Sequence, residues 1–378
     1  MSALYIHVPF CARKCRYCDF VSFDSKPELA ESYFRALWKE IALASNLYEL
    51  KGVSTVFFGG GTPSFVDQEY IEQTLENVQR TIGIQTGAEI TIEANPNSLT
   101  KQKLNAYHNA GVNRLSIGLQ SADNRLLAEI GRLHTLEMFQ AAYEEARNAG
   151  FKNINTDVIY ALPGQSLDDF RATLETAARL SPEHVSAYSL MIEPGTPMHK
   201  DLEEGRIRET DEDTERDMYH AAVCSLESQG FERYEISNFA KPGFACAHNL
   251  AYWNREDYLG LGVAAHSCIR DVRYANTDDI DGYISCLSSG KTAYNNIENL
   301  DSKQKETEYI MLKLRLKNGF DTEEYKKMFG RDFRNFFSAP LKKLLKAGLV
   351  SFSGSRFHAT DKGFDLQNSI VLELLNIL

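Results

Sequence analysis

Long apolar runs are missing from this sequence. No stretch reaches about 18 consecutive apolar residues, so no transmembrane helix is expected. The N-terminus has no basic n-region, no apolar h-region and no Arg-rich transit segment. Met1-Ser2-Ala3 lead straight into a strand pattern, and the expected location is cytoplasmic. A basic surplus is also missing. The net charge of −11 counts against a nucleic-acid binder, which would present a basic face. No low-complexity tract is present. Nor is there a disulfide framework: Cys224, Cys246, Cys268 and Cys286 stand singly, and the total of 7 cysteines is odd. Free thiols suit a reducing compartment. What remains is ordinary for a globular chain, 43% hydrophobic and 25% charged. Its 378 residues can bury one large core plus a smaller domain, or two medium ones.

Against that background one stretch stands out. Cys11, Cys15 and Cys18 lie at C-x₃-C-x₂-C spacing, directly after the apolar run Leu4 to Val8. A loop this short turns three sulfurs toward one point, and thiolates are the soft ligands of iron–sulfur clusters. A 4Fe–4S cube has four irons, so three cysteines leave one iron open to a small molecule. Two other readings stand beside this. Three close cysteines can hold structural zinc, although zinc wants a fourth Cys or His and no second cysteine pair follows. They can also be buried apolar residues.

Short β-branched runs then alternate with longer helical periods. Strands are expected over Leu4–Val8, Ser54–Phe58, Glu89–Glu93, Arg114–Leu119, Ile154–Ile159 and Val185–Leu190. Helical stripes fall between them, the clearest through Leu29, Tyr33, Leu37, Ile41 and Ala44. The alternation predicts an α/β fold with a parallel sheet. Six units are fewer than the eight of a full barrel, so an open, partial (β/α)₆ barrel is expected, with function at the C-terminal strand ends. Beyond residue 300, helices around Glu306–Leu316, Thr322–Phe329 and Phe333–Ala347 precede two short strands. That order predicts a winged-helix-like module, read as a cap rather than a DNA reader. The domain boundaries are placed at 1–215, 216–295 and 296–378.

Several polar features land on the predicted rim. Gly59-Gly60-Gly61-Thr62 lets backbone approach a ligand, or makes a tight strand-to-helix turn. Glu93 ends a strand and suits a hydroxyl or an ammonium. Gln120 ends the next strand. Asp157 lies in the fifth and reads equally as a paired acid within the sheet; Arg132 reads equally as a surface arginine. Together they would form a polar lining around an open iron.

The cysteine spacing resembles that of the radical S-adenosylmethionine (SAM) superfamily. The wider chain resembles the oxygen-independent coproporphyrinogen III oxidases, and most of all their haem-chaperone branch, HemW. The resemblance rests on Tyr5-Ile6-His7-Val8-Pro9-Phe10-Cys11, Gly59 to Pro63, Arg114 to Gln120, Asp157 to Gly164 and Tyr258 to Gly262. It implies that Cys11, Cys15 and Cys18 hold a 4Fe–4S cluster whose open iron chelates SAM. An electron from the cluster then cleaves the sulfonium to a 5′-deoxyadenosyl radical. It places Tyr5, Tyr17, Gly60, Gly61, Thr62, Glu93, Gln120, Arg132 and Asp157 on SAM-binding positions.

Two features separate the branches. The oxidases resemble C-x₃-C-x₂-C-x-C, where this chain has Phe20, and they carry an extension before the first strand. Both departures count against the oxidase activity. The element His248-Asn249-Leu250-Ala251-Tyr252-Trp253 matches the H-N-x-x-Y-W of the haem chaperones, where the histidine is associated with haem. Neutral imidazole is a good axial ligand, and the two aromatics offer flat apolar faces. A core histidine beside packed aromatics is the other reading. Cys246 is an alternative thiolate, and His266 is expected near the SAM pocket or buried. The function implied is a haem chaperone passing haem to apo-haemoproteins of the respiratory chain, with peripheral contact to membrane-bound partners. The rivals are coproporphyrinogen III decarboxylation, or another radical reaction on a tetrapyrrole, and a zinc-stabilised scaffold.

Overall fold

The computed structural model describes residues 3–24 and 27–377. Its centre is a run of parallel strands: β1 (Ala3–Val8), β2 (Val53–Gly60), β3 (Ile84–Ala94), β4 (Arg114–Gln120), β5 (Ile154–Tyr160) and β6 (His184–Ser189). They pair in chain order, each parallel to the next. Helices α1 (Pro27–Tyr48), α2 (Gln68–Thr81), α3 (Lys101–Asn109), α4 (Asn124–Glu129), α5 (Leu136–Asn148) and α6 (Leu167–Arg179) make the crossovers. The stripe read in α1 is its buried face, with Tyr33, Leu37, Ile41 and Ala44 at no exposure. Every residue of β4 is buried, as expected of a parallel strand covered on both faces. A capping box of Ser166 and Asp169 starts α6.

The sheet is open and wider than the sequence suggests. After α7 (Pro197–Glu203) and α8 (Glu212–Ser228), the chain adds β7 (Glu232–Arg233) and β8 (Asn238–Ala240) antiparallel at the β6 edge. Helix α9 (Ala247–Trp253) leads to β9 (Tyr258–Leu261), which pairs parallel to β1 and lengthens the parallel run to seven strands. β10 (His266–Ile269), β11 (Val272–Asn276) and β12 (Tyr294–Asn299) continue antiparallel outward, to twelve strands in all. Local periodicity hides these additions because β7 to β10 are two to four residues long.

Apolar burial gathers most of the described residues into two large cores. One core runs from Leu4 to Ala293, so residues 216–293 pack with the barrel, and a boundary at 215 would cut through α8. A buried carboxylate helps to join them. Glu40 of α1 accepts from the Gly262 amide at 2.7 Å, from Tyr283 at 2.7 Å and from Asn276 at 2.6 Å. A second core runs from Tyr309 to Leu374. It holds α10 (Ser302–Lys313), α11 (Thr322–Phe329), α12 (Phe333–Phe336), α13 (Ser338–Lys346) and the hairpin β14 (Val350–Ser353) with β15 (Arg356–Ala359). The short strand β13 (Phe320–Asp321) joins that hairpin. Helices followed by a hairpin is the order the sequence predicts.

Candidate active site

Strand register sets the level of the site. Val8 pairs with Gly60, Glu93 with Ser116 and Gly118 with Asp157. These positions sit at the C-terminal ends of the strands and surround a cavity of about 560 Å³. Cys11, Cys15, Cys18, Tyr17, Gly60, Gly61, Thr62, Glu93, Gln120, Arg132 and Asp157 all line it. Tyr5 is not among the lining residues. Its hydroxyl donates to His7 Nδ1 at 3.1 Å, while His7 Nε2 donates to the Val21 carbonyl at 2.9 Å. That pair anchors the return of the cysteine loop below the cavity floor.

The glycine turn is shaped more by the protein than by a ligand. The Gly61 amide donates to the Val8 carbonyl at 3.0 Å, that of Thr62 to Phe10 at 2.8 Å, and that of Gly60 to Glu93 Oε2 at 3.3 Å. The amides of Gly60, Gly61 and Thr62 are therefore already paired. Glycine is still required. Gly60 has φ +110°, and a Cβ there would stand 2.5 Å from the His7 ring.

A polar web joins the cysteines. Cys11 Sγ lies 3.4 Å from Thr62 Oγ1, which accepts from Asn95 Nδ2 at 3.0 Å. Asn95 Oδ1 accepts from Arg132 Nη1 at 2.7 Å, and the same Nη1 donates to Cys15 Sγ at 3.7 Å. Arg132 is thus a cavity residue and not a surface one. Its Nε is buried and has no hydrogen-bond partner among the described residues. Asp157 is the paired acid of the second reading and also lines the cavity. It accepts from Ser116 at 2.9 Å and from Asn155 at 2.8 Å. Gln120 adopts φ +65° at a register shift and accepts from the Tyr188 hydroxyl at 3.1 Å.

Burial sets the electrostatics. It pushes the Cys18 thiol up to about 11 and raises Cys11, so a metal would have to displace protons. Burial, then the neighbouring Asp157, pushes Glu93 up to about 8. Burial also raises Asp157, against the bonds from Ser116 and Asn155. The pair thus holds less than two full negative charges near neutral pH. The lining carries the donors that a cluster with a cationic ligand would need, three thiols and two carboxyl groups around one cavity, although among the described residues no three of them stand as a site for a single metal ion.

Other expectations fall elsewhere. His248 lies at the opposite end of the barrel, 1% exposed, with Nδ1 2.8 Å from Thr55 Oγ1 and Nε2 3.1 Å from the Tyr252 hydroxyl. At roughly 3.3 Å per residue, Thr55 stands about 16 Å down β2 from Gly60. Both imidazole nitrogens are engaged, and burial, then Arg114, lowers the ring to about 3. Cys246 is buried and donates to Glu89 at 3.4 Å. His266 is exposed on β10, neither buried nor in the cavity wall. Asn95, Ser116, Asn155 and Tyr188 were not singled out in the sequence. Only Asn95 carries a local signal: it precedes Pro96, which holds it extended at the strand end.

Comparison with known proteins now bears on this site. A model of the radical SAM superfamily matches residues 5–177, and one of the HemN C-terminal domain matches residues 300–366. The heme chaperone HemW of Bacillus subtilis is 34% identical over 371 residues, covering 98% of both chains. The chain belongs to the HemW family. The HemW of Mycobacterium tuberculosis is 33% identical, over 98% of this chain and 94% of its own. Among solved structures, the coproporphyrinogen III oxidase HemN of Escherichia coli superposes with a TM-score of 0.85, over 100% of this chain and 90% of that one. At 24% identity that likeness carries the fold, including the open radical SAM barrel and the C-terminal helical unit.

Proposed function

We propose that this HemW family member is a cytoplasmic haem chaperone. It holds a 4Fe–4S cluster on Cys11, Cys15 and Cys18, binds SAM beside it, and passes haem to apo-haemoproteins of the respiratory chain. The observation that carries the reading is the sharing of one cavity by the three cysteines, Tyr17, Gly60, Gly61, Thr62, Glu93, Gln120, Arg132 and Asp157. The name given to its full-length relatives supports the haem part. When bound, the cluster and SAM supply one-electron chemistry at a sulfonium.

The chain's own residues would do the following. Glu93 and Asp157 face the cationic ligand, and Glu93 releases its proton to solvent as that ligand binds. Arg132 steadies Cys15 through Nη1. Tyr5 acts through His7, holding the loop that carries the cysteines. No helix of the described residues is long and apolar enough to cross a membrane, and contact with membrane-bound acceptors is proposed as peripheral.

The test is anaerobic reconstitution followed by hemin titration. Broad brown absorption and a shifted Soret band are expected. A colourless zinc-loaded protein, or a hemin spectrum equal to that of free hemin, overturns the reading. Protoporphyrinogen formed from coproporphyrinogen, SAM and a reductant would move the function to the oxidase.

A further inference from the structure

A second row of polar side chains lies one step below the cavity wall. Gly118, Asp157 and Ser186 pair across β4, β5 and β6 at the level of the cavity, and Ser116, Asn155 and His184 pair across the same strands two residues earlier. Side chains two residues apart share a face of a sheet, so the two rows stand one above the other. The lower row is closed to solvent: Asn155 is 2% exposed and His184 not at all.

The bonds among these groups run one way. An ionised carboxylate only accepts. Asp157 takes the Ser116 hydroxyl on Oδ2 at 2.9 Å and Asn155 Nδ2 on Oδ1 at 2.8 Å. Burial raises the Asp157 carboxyl, and these donors oppose it. Asn155 Nδ2 also donates to Ser116 Oγ at 2.8 Å, which leaves the amide oxygen to face His184 Nδ1 at 2.6 Å. That oxygen can only accept, so the ring carries its proton on Nδ1. Burial, then Arg114, keeps the ring neutral. Nε2 is therefore an acceptor, and it takes the Tyr234 hydroxyl at 2.9 Å. The Ser186 hydroxyl lies 3.1 Å from the same amide oxygen, but a hydroxyl can turn either way. The imidazole is what orients the amide.

Tyr234 is fixed outside the parallel strands. Its carbonyl accepts from the Lys317 amide at 2.9 Å, and Glu235 bridges antiparallel to Leu316. The chain of bonds thus starts where the C-terminal unit meets the barrel and ends on a carboxylate of the cavity.

We infer that His184 and Tyr234 are positioning residues of the SAM site: acting through Asn155, they hold Asp157 as an ionised acceptor toward the cationic ligand. This rests on the SAM reading of the cavity and adds the groups that stand behind it. Without the Tyr234 hydroxyl the ring can carry its proton on Nε2, and Nδ1 then becomes an acceptor. The Asn155 amide turns to meet it, which sets the amide oxygen against the Asp157 carboxylate.

The test is calorimetric titration of SAM into full-length protein loaded anaerobically with its cluster. Tyr234→Phe keeps the ring and loses one oxygen. It is expected to retain wild-type iron content and to bind SAM about three- to tenfold more weakly. His184→Leu is expected to melt lower and to weaken SAM at least as much; Tyr234→Phe carries the test if that variant does not fold. A merely structural role would cost the same factor whatever stands at position 157. The expected result is different: in an Asp157→Asn background, itself a weaker binder, Tyr234→Phe changes SAM affinity by less than about twofold. Wild-type SAM affinity in Tyr234→Phe overturns the inference. So does an equal loss in both backgrounds. A wild-type protein that takes up the cluster and binds no SAM is a separate result, because it removes the SAM reading itself and the inference with it.

Discussion

Arg132 and Asn95 are joined by a hydrogen bond, Nη1 to Oδ1, of 2.7 Å. Through it Cys15, held by Arg132, is tied to Cys11, which Asn95 reaches by way of Thr62. Two cysteines in one loop are therefore set by residues from the ends of β2 and β3 and from the turn after α4. The rim thus contacts two of the three sulfurs of the loop.

Asn95→Ala should loosen that web without emptying the core. Removing a partner of a buried charged donor costs about 1.5–3 kcal/mol, roughly ten- to a hundredfold in an equilibrium constant. The expected outcome is weaker SAM binding and lower iron content after reconstitution, with the fold retained. Calorimetric titration of SAM and an iron assay check both. Unchanged values would show that the web is incidental.

Gly60→Ala should be worse than its size suggests. The new methyl would meet the His7 ring at 2.5 Å, and φ +110° is unfavourable for any L side chain. Backbone strain alone costs of order 1–3 kcal/mol. A fall in melting temperature together with loss of bound iron is expected, because His7 also holds the end of the cysteine loop. Thermal denaturation in parallel with an iron assay separates the two effects.

Glu93 should make SAM binding depend on pH. Its carboxyl titrates at about 8 in the folded protein and at about 4.3 in an unfolded chain. Between those values the folded state holds a proton that the unfolded state lacks, so the stability of ligand-free protein falls as pH rises across that window. A cationic ligand reverses the preference by favouring the carboxylate. SAM should therefore bind more tightly as pH rises from about 7 to about 9, with release of a proton, and Glu93→Gln should flatten the profile. Calorimetry in two buffers of different ionisation enthalpy would detect that proton; equal heats would rule it out.

Thr55→Val keeps shape and removes the hydroxyl on His248 Nδ1. An unpaired buried imidazole nitrogen costs about 1–3 kcal/mol. Melting should shift down while SAM affinity stays at the wild-type value, since Thr55 lies at the far end of β2. Equal melting temperatures would mean that the fold does not need this bond.

The six central strands, their helices and the C-terminal helices with their hairpin were legible because each repeats a pattern over enough residues to show. The cysteines were legible because three metal-binding side chains crowd into one loop. The segment from β7 to β10 was not, since its strands are too short to show a period and are held by partners far along the chain. Ser116 and Asn155 were not, because a lone Asn or Ser carries no spacing, and Asn95 had only the following Pro96 as a signal. The role of the glycine turn was half legible: close approach was read correctly, but what approaches is His7 and the backbone of Pro9 and Phe10.

The sequence by itself determined which donors exist, how the cysteines are spaced and that strands and helices alternate, since all of these are properties of neighbours along the chain. Only the tertiary structure decided that His248 turns inward to Thr55 while Phe20 and Met191 stay in the open. Both ends of a barrel strand look alike in one dimension. Which end is filled and which is left accessible depends on the distant segments that fold back over it.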